Sequence, residues 1–438
     1  MKTIAFASIK KLFTWYHQKR ILSLWENVFA IFVLFLSTYA VIPLLQAKSG
    51  LEINPVQGNI VMQALWLGIY AITFFILLLR IRNVFQIAFQ AKLQWVLVGL
   101  AFVSTIWSEK QFVALRHCLA LLGTTVFGVY LATRFTRKEI LSMLAWTLGL
   151  VAVLSLGFVW LLPGYGIHHD YYGSAWRGVY IHKNLFGNFM ALAALTWLLY
   201  AFSCQGKLLV GLVFFFLSLA LLFLSTSKTA LIIFFILLSL LSIIQILRRL
   251  DTKALPVGIL LIVLVGSLAI LSAYNMESIL TILGRDTTLT GRIYLWQAVW
   301  LMIQEHPWLG YGYNAFWLER EGPSKYIWEI VQWEPFNAHN GYLDLWLQLG
   351  LVGVVIFIIP LLVNLFKAFT LVWREKGLVE MFPLLFLAFM MIHNISESTI
   401  LVRNQIFWIL YVMFSIQLST ESGKVIGMQR LSDGSKKQ

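Results

Sequence analysis

The chain has 438 residues, of which 60% are hydrophobic and only 12% are charged, with a formal net charge of +14. Soluble domains carry about 25% charged residues, so this composition excludes an ordinary soluble protein. The excess of lysine and arginine fits the cytoplasmic loops of a multi-pass membrane protein and does not require nucleic acid as a partner. Cys118 and Cys204 lie in apolar runs, so no disulfide framework is expected.

Long apolar runs recur along the chain. A helix of about 20 apolar residues crosses a bilayer, so we predict an all-α integral membrane protein with about twelve transmembrane helices and one large loop. The predicted spans lie near residues 25–45, 59–79, 93–107, 111–132, 139–162, 184–203, 208–224, 230–247, 255–274, 339–365, 380–396 and 402–418.

These spans divide the chain into five parts. A basic segment (1–24) precedes a bundle of about nine helices (25–274), which leads into the large loop (275–338). About three further helices (339–418) and a tail (419–438) follow. Most lysines and arginines fall on one side of this arrangement, which predicts that both termini are cytoplasmic and that the large loop is outside.

The large loop contains a predicted helix over residues 292–305. Its apolar residues recur on one helical face, Thr290 is placed to cap its start, and Pro307 follows its end. Two arrangements remain open: an amphipathic helix on the outer membrane surface, or a short helix packed on the bundle. The face consists of Ile293, Trp296, Trp300 and Ile303.

Two arginines in the loop are candidate anion-binding residues. Arg285 and Arg292 flank a threonine-rich stretch. A guanidinium is always charged and can grip a phosphate through two parallel hydrogen bonds. The alternatives are that both arginines bind lipid headgroups or neutralise a carboxylate such as Asp286.

His339 and Asn340 begin the membrane helix that follows the loop. Histidine titrates near neutral pH and can act as a general base, and a helix N-terminus favours an anion. A histidine that only caps the helix is the alternative. Asn340, Asp344 and Gln348 form a polar stripe, which inside a membrane usually faces the bundle interior.

Further charged residues lie in the other predicted outer segments. Arg177 and Lys183 are placed to complete a cationic pocket, and Lys228 is either a phosphate contact or a membrane anchor. Glu397 pairs with an arginine, activates an acceptor, or does neither. His168, His169 and Asp170 are adjacent in one loop, which is weak evidence for a metal site, so we expect none.

A reaction outside the cell membrane has no ATP supply. The sequence has no P-loop, so the substrate is expected to be activated already. A cationic pocket beside a base suits a lipid pyrophosphate that carries a sugar chain.

The motifs within 284–353 resemble the O-antigen ligase/polymerase family of bacterial envelope proteins. They are Gly284-Arg285-Asp286, Thr290-Gly291-Arg292, His306-Pro307, Gly310-Tyr311-Gly312, Ala338-His339-Asn340-Gly341-Tyr342 and Leu349-Gly350-Leu351-Val352-Gly353. Trp176-Arg177-Gly178 and His182-Lys183-Asn184 are similar to the exopolysaccharide-polymerase branch.

The resemblance implies a GT-C-like glycosyltransferase of the bacterial inner membrane, with its active site facing the periplasm. It would transfer a glycan from undecaprenyl pyrophosphate, without a metal or cofactor and with inversion, to a growing glycan or to lipid A core. Arg285 and Arg292 would hold the pyrophosphate, and His339 would take the acceptor proton. Arg177, Lys183, Lys228, Asn340 and Glu397 would contact substrate. Membrane lipids, a flippase and a chain-length regulator are the other partners implied.

Polymerisation is the first reading, on the resemblance around Arg177 and Lys183, and ligation to lipid A core is the alternative. A transporter of a small anion such as bicarbonate is a different class, which would favour repeated halves and broken helices at mid-membrane. A structural scaffold would not need Arg285, Arg292 and His339.

Overall fold

A computed structural model describes residues 24–40, 60–170, 173–249, 291–318 and 322–435. These residues are mostly helical. The helices are α1 (Leu24–Leu36), α2 (Ile60–Leu78), α3 (Ile81–Ala88), α4 (Lys92–Val103), α5 (Gln111–Arg134), α6 (Arg137–Leu161), α7 (Pro163–Gly166), α8 (Lys183–Ser203), α9 (Leu208–Leu224), α10 (Lys228–Arg249), α11 (Arg292–Glu305), α12 (Ser324–Val331), α13 (Gly341–Arg374), α14 (Phe382–His393) and α15 (Ile406–Ser435).

The described part of the chain contains seven helical segments long and apolar enough to cross a membrane, and four shorter apolar helices accompany them. Every predicted span that falls on described residues contains an apolar helix. The predicted span at 255–274 lies outside the described residues, as does the first part of the large loop (275–290), which carries Arg285 and Thr290. The protein is therefore a multi-pass helical membrane protein.

One small sheet departs from the predicted all-α fold. Strands β1 (Ile167–Asp170) and β2 (Gly173–Trp176) pair antiparallel, with Ile167 opposite Trp176. The pairing satisfies backbone groups in the segment between α7 and α8, where no helix provides partners.

The chain divides into two compact units. The first unit comprises Met1–Ser49 and Thr136–Thr226. Within it, α8 is buried along almost its whole length and packs against α6 and α9. The ring of Trp197 stacks on Phe214 with centroids 4.4 Å apart, and Trp146 meets the same indole edge-on at 5.5 Å. A capping box at Thr136 and Glu139 fixes the start of α6.

The second unit comprises Gly50–Phe135 and Ser227–Gln438. Its core contains α15, which packs against α5, and α13, which packs against α4. Polar contacts join these helices, since Trp408 Nε1 donates to Thr125 Oγ1 at 2.9 Å. Tyr313, from the segment after α11, donates its buried hydroxyl to the Leu401 carbonyl at 2.8 Å.

Helix α11 has the predicted bounds, and its buried face coincides only in part with the predicted one. Its buried residues are Leu295, Ala298, Val299, Met302 and Ile303, which pack against Phe316 and Leu347. Of the predicted face, Ile303 is buried and Trp296 is partly buried against this cluster, whereas Ile293 and Trp300 are 36% and 43% exposed. The helix is therefore packed on its own unit, as in the second of the two predicted arrangements.

Thr290, predicted to cap α11, lies outside the described residues. The N-cap is Gly291, with φ of +80° and no side-chain hydrogen bond. This left-handed conformation carries a steric penalty for residues with a side chain. A glycine at the N-cap therefore lets the chain enter α11 without that penalty.

Helix α13 is broken at Gly350, which has φ of +66° and ψ of −173°. The preceding loop, residues 307–312, provides hydrogen-bond partners for the backbone groups of α13 at this break. Four backbone bonds join them: Leu351 N–H to Pro307 O (2.8 Å), Val352 N–H to Trp308 O (3.3 Å), Tyr311 N–H to Leu347 O (2.9 Å) and Gly312 N–H to Gln348 O (2.9 Å). The two glycine motifs of the sequence, at 310–312 and 350–353, therefore meet at one structural joint.

Candidate functional site

The N-terminus of α13 is held against the turn that follows α14. Asn340 caps the helix, because its Oδ1 accepts from the N–H groups of Tyr342 and Leu343 at 3.0 and 3.1 Å. The Asn340 N–H donates to Ser398 Oγ at 3.2 Å, and the Gly341 N–H donates to the carbonyls of Asn394 and Glu397. These bonds bring Glu397 to the start of the helix.

Three predicted site residues meet at this point. The Glu397 carboxylate lies between two cationic or titratable groups: Oε1 is 3.4 Å from Arg292 Nη2, and Oε2 is 3.8 Å from His339 Nδ1. The second distance exceeds a hydrogen bond, so His339 interacts with Glu397 electrostatically. The side chains retain 12–19% exposure, so a substrate can still reach them.

The surroundings of Glu397 favour its ionised form. Burial acts to raise the pKa of this carboxyl, but the His339 side chain and the Arg292 guanidinium outweigh it. The pKa of Glu397 is therefore lowered from its ordinary value. An ionised carboxylate at this position can orient an imidazole and stabilise a positive charge on it.

The backbone of His339 is strained and firmly held. Its φ is +47°, a left-handed conformation that is uncommon without glycine. The His339 N–H donates to Asn337 Oδ1 at 2.9 Å. Strain of this kind persists only where neighbouring contacts determine the conformation, and such sites are often functional.

Ala338, the residue before His339, is held by hydrogen bonds at both its N–H group and its carbonyl. The Ala338 N–H donates to both Asp344 oxygens, at 3.1 and 3.0 Å, and the Ala338 carbonyl accepts from Trp296 Nε1 at 2.9 Å. Trp317 Nε1 donates to the same Asp344 carboxylate at 2.8 Å. The carboxylate thus ties three segments of the unit together.

The polar stripe of α13 fastens the preceding loop to the helix. Asn340 caps the helix, Asp344 binds Ala338 and Trp317, and Gln348 Oε1 accepts from the Asn314 N–H at 2.9 Å. The four-residue spacing in the sequence marked these residues as one helical face. The spacing did not indicate that their partners would be backbone groups of the loop and the indole of Trp317.

Two aromatic rings flank the imidazole of His339. The ring centroids of Trp333 and Phe336 lie 6.0 and 5.7 Å from that of His339. Trp333 is 40% exposed and Phe336 is 73% exposed. Neither residue stood out in the sequence, because aromatic residues are frequent throughout the chain.

Arg177 and Lys183 belong to the first unit. The Arg177 guanidinium is bound to backbone, donating to the carbonyls of Tyr165 (2.7 Å), Ile181 (3.2 Å) and Gly164 (3.2 Å). These three bonds hold the segment before α8. Because arginine has five N–H donors, two donors remain for other partners. Lys183 is the first residue of α8, where the neighbouring His182 accepts from the Asn184 N–H.

Two predicted cations lie elsewhere in the sequence. Lys228 begins α10 and is half-buried, and α10 packs against α14, which leads to Glu397. Arg285 lies outside the described residues.

Among the residues that the structure describes, no three His, Cys, Asp or Glu side chains are grouped as metal ligands, and a metal-independent reaction remains a prediction.

The comparison with known families matches the same part of the chain. Residues 213–358 match the family model described as O-antigen ligase. The resemblance predicted from the motifs is confirmed. The matched region contains Lys228, Arg292, His339 and Asn340, whereas Glu397 lies beyond it and is brought to it by the fold.

A curated relative gives a second match. The exopolysaccharide production protein ExoQ of Rhizobium meliloti is 31% identical over 105 residues. That segment covers 23% of this chain and 24% of the relative. The chain thus matches about a quarter of the length of this relative.

Proposed function

We propose that the protein transfers a glycan from undecaprenyl pyrophosphate to the hydroxyl of an acceptor sugar. The observation that carries the proposal is the contact of Arg292 and His339 with one carboxylate, Glu397, beside the start of a membrane helix. The match to the O-antigen ligase family over residues 213–358 supports the same reaction class.

In the proposed reaction, a ring nitrogen of His339 takes the proton of the acceptor hydroxyl. Because Nδ1 faces Glu397, Nε2 is the nitrogen assigned to this role. The acceptor oxygen attacks the anomeric carbon from the face opposite the pyrophosphate, so the configuration inverts. The bond from that carbon to the pyrophosphate oxygen breaks, and its electron pair leaves with the lipid pyrophosphate.

Arg292 supplies charge for the leaving group. Its guanidinium has five donors in a planar fork, and the contact with Glu397 involves Nη2, so other donors remain for a phosphate oxygen. Arg285 and Lys228 are proposed as further cations at the donor. Fixed positive charge at a developing anion is a major source of catalysis.

Glu397 is proposed to hold the imidazole in orientation and to stabilise the imidazolium that forms. This carboxylate also lowers the net positive charge of the cluster formed by Arg292 and His339. The arrangement follows the nucleophile–base–orienting-group pattern of acyl-transfer enzymes, with the acceptor hydroxyl in place of a nucleophilic side chain.

Polymerisation of exopolysaccharide repeat units is the proposed form of the reaction. It draws support from the similarity to an exopolysaccharide production protein. Transfer to lipid A core is the second candidate, because the family model is described as O-antigen ligase. In both forms the reaction would take place at the periplasmic face of the inner membrane, with both chain termini in the cytoplasm.

A reconstituted transfer assay tests the proposal. Purified protein in liposomes is given undecaprenyl-pyrophosphate-linked repeat units in EDTA, with and without lipid A core. A ladder of longer lipid-linked chains without core supports polymerisation, and product on core alone supports ligation. Absence of product in both conditions, together with bicarbonate uptake by the same liposomes, would support the transporter instead.

A further inference from the structure

The rings of Trp333 and Phe336 flank His339 at different inclinations. The Trp333 plane is tilted 31° from the imidazole plane, and the Phe336 plane is tilted 68°. The faces of the two aromatic rings beside the imidazole therefore point in different directions. Because Phe336 is 73% exposed and Trp333 is 40% exposed, much of this aromatic surface is open.

The backbone around these rings is held in place. Trp328 Nε1 donates to the Pro335 carbonyl at 3.0 Å, directly before Phe336. Asn337, directly after it, accepts from the His339 N–H at 2.9 Å. Phe336 thus lies between two hydrogen-bonded residues, which hold its backbone near the histidine.

The chemistry at His339 restricts what can lie on the two rings. A general base must come within about 3 Å of the hydroxyl whose proton it takes. That hydroxyl belongs to a sugar ring, which is about as wide as a benzene ring. A sugar that places its hydroxyl on the imidazole must therefore lie beside His339, where Trp333 and Phe336 are its neighbours.

Sugars and aromatic rings are complementary in charge. The face of an aromatic ring is electronegative and its edge is electropositive. One side of a pyranose ring presents several C–H groups, which carry partial positive charge, while its hydroxyl groups point outward. A sugar can therefore place its C–H surface on an aromatic face and leave a hydroxyl free for the imidazole.

From this geometry we infer that Trp333 and Phe336 form a stacking subsite for the acceptor sugar next to His339. The inference rests on the proposed function, because it needs His339 to meet an acceptor hydroxyl. It adds a binding role for two residues outside the arginine–histidine–glutamate cluster. The principal competing role for exposed aromatic side chains is anchoring in the membrane interface.

The test compares ring loss with ring retention at Phe336. Phe336→Leu keeps an apolar side chain and removes the aromatic face, whereas Phe336→Tyr keeps the face. Phe366→Leu makes the same chemical change at a phenylalanine that is 72% exposed and lies in the distant half of α13. Thermal unfolding and size-exclusion chromatography confirm that each variant is folded.

The acceptor probe is the native repeat-unit oligosaccharide released from its lipid, which can accept a glycan but cannot donate one. We expect Phe336→Leu to raise the KM for this probe roughly three- to tenfold, the size of an aromatic contact. Phe336→Tyr and Phe366→Leu should stay within about twofold of wild type by the same scale. Saturation-transfer NMR should show weaker contact with the probe only in Phe336→Leu.

The outcomes separate the subsite from the reaction. An unchanged acceptor KM and NMR signal in Phe336→Leu, in a protein that still transfers glycan, would overturn the subsite alone. Equal losses in Phe336→Leu and Phe366→Leu would overturn it in favour of a membrane role. If wild type transfers nothing but binds the oligosaccharide through Phe336, the proposed reaction fails, and the two rings bind sugar without an acceptor role.

Discussion

The carboxylate of Asp344 accepts the backbone N–H of Ala338, the residue immediately before His339. This carboxylate is buried and lies on the first turn of α13. It therefore fixes the strained backbone of the proposed base relative to the helix that follows. A base that must reach a hydroxyl to within about 3 Å depends on such a support.

We expect Asp344→Asn to slow glycan transfer about 10- to 100-fold, the scale of a small misplacement of a catalytic group. The amide replaces one acceptor oxygen with a donor that faces the Ala338 N–H. The decrease should appear in kcat, with the acceptor KM little changed. Trp317→Phe removes one donor to Asp344 and keeps the carboxylate, so its effect should be smaller. Wild-type kcat in Asp344→Asn would contradict this role.

Arg292→Lys should lower kcat/KM about 100-fold or more, as loss of an oxyanion donor does in other enzymes. A single ammonium cannot reproduce the planar fork that serves Glu397 and a phosphate together. The measurement is the initial rate of transfer from the lipid-linked donor. Lys325→Ala is the control, because Lys325 forms an exposed ion pair with Glu329 at 3.8 Å, and such pairs contribute little.

Glu397→Gln should remove a pH-dependent part of the stability. The pKa of Glu397 is lowered in the folded protein, so the ionised carboxylate favours folding. This contribution is present above the ordinary carboxyl pKa and declines as the pH falls through the lowered value. Thermal unfolding between pH 3 and 7 measures it. The Tm difference between wild type and Glu397→Gln should be largest near neutrality and shrink in acid; a constant difference would refute the prediction.

Gly350→Ala should destabilise the protein and reduce its folded yield. With φ of +66° and ψ of −173°, Gly350 lies in a region that is almost restricted to glycine, where a side chain costs about 1–3 kcal/mol. The added Cβ would also lie directly against the Trp308 carbonyl. Gly157→Ala in α6 makes the same change where nothing lies within 4 Å of the new atom. Fluorescence-detected chromatography after graded heating compares the two, and equal stability would argue against a structural joint at Gly350.

The helical framework was largely predictable because apolar runs and their breaks are local properties. The bounds of α11 follow from an apolar run between Gly291 and Pro307. Its buried face was only partly predictable, because α11 has apolar residues on all sides and the face that is buried depends on distant partners such as Phe316.

The candidate site was predicted as a set of residue types, and its contacts were not. Arg292 and Glu397 are 105 positions apart, and no local pattern couples them. For Arg177, the sequence showed a cation in a loop but not the three carbonyls that bind its guanidinium. Backbone partners of this kind depend on the folded path of the loop, which the side-chain sequence does not display.

The joint at Gly350 limits how substrate can enter. If the 307–312 loop lifted away, the amides of Leu351 and Val352 would lose their acceptors within a membrane helix. Each such unpaired group in an apolar medium costs several kcal/mol. This loop is therefore held in place, and in the proposed reaction the lipid-linked donor would reach His339 by a route that does not displace it.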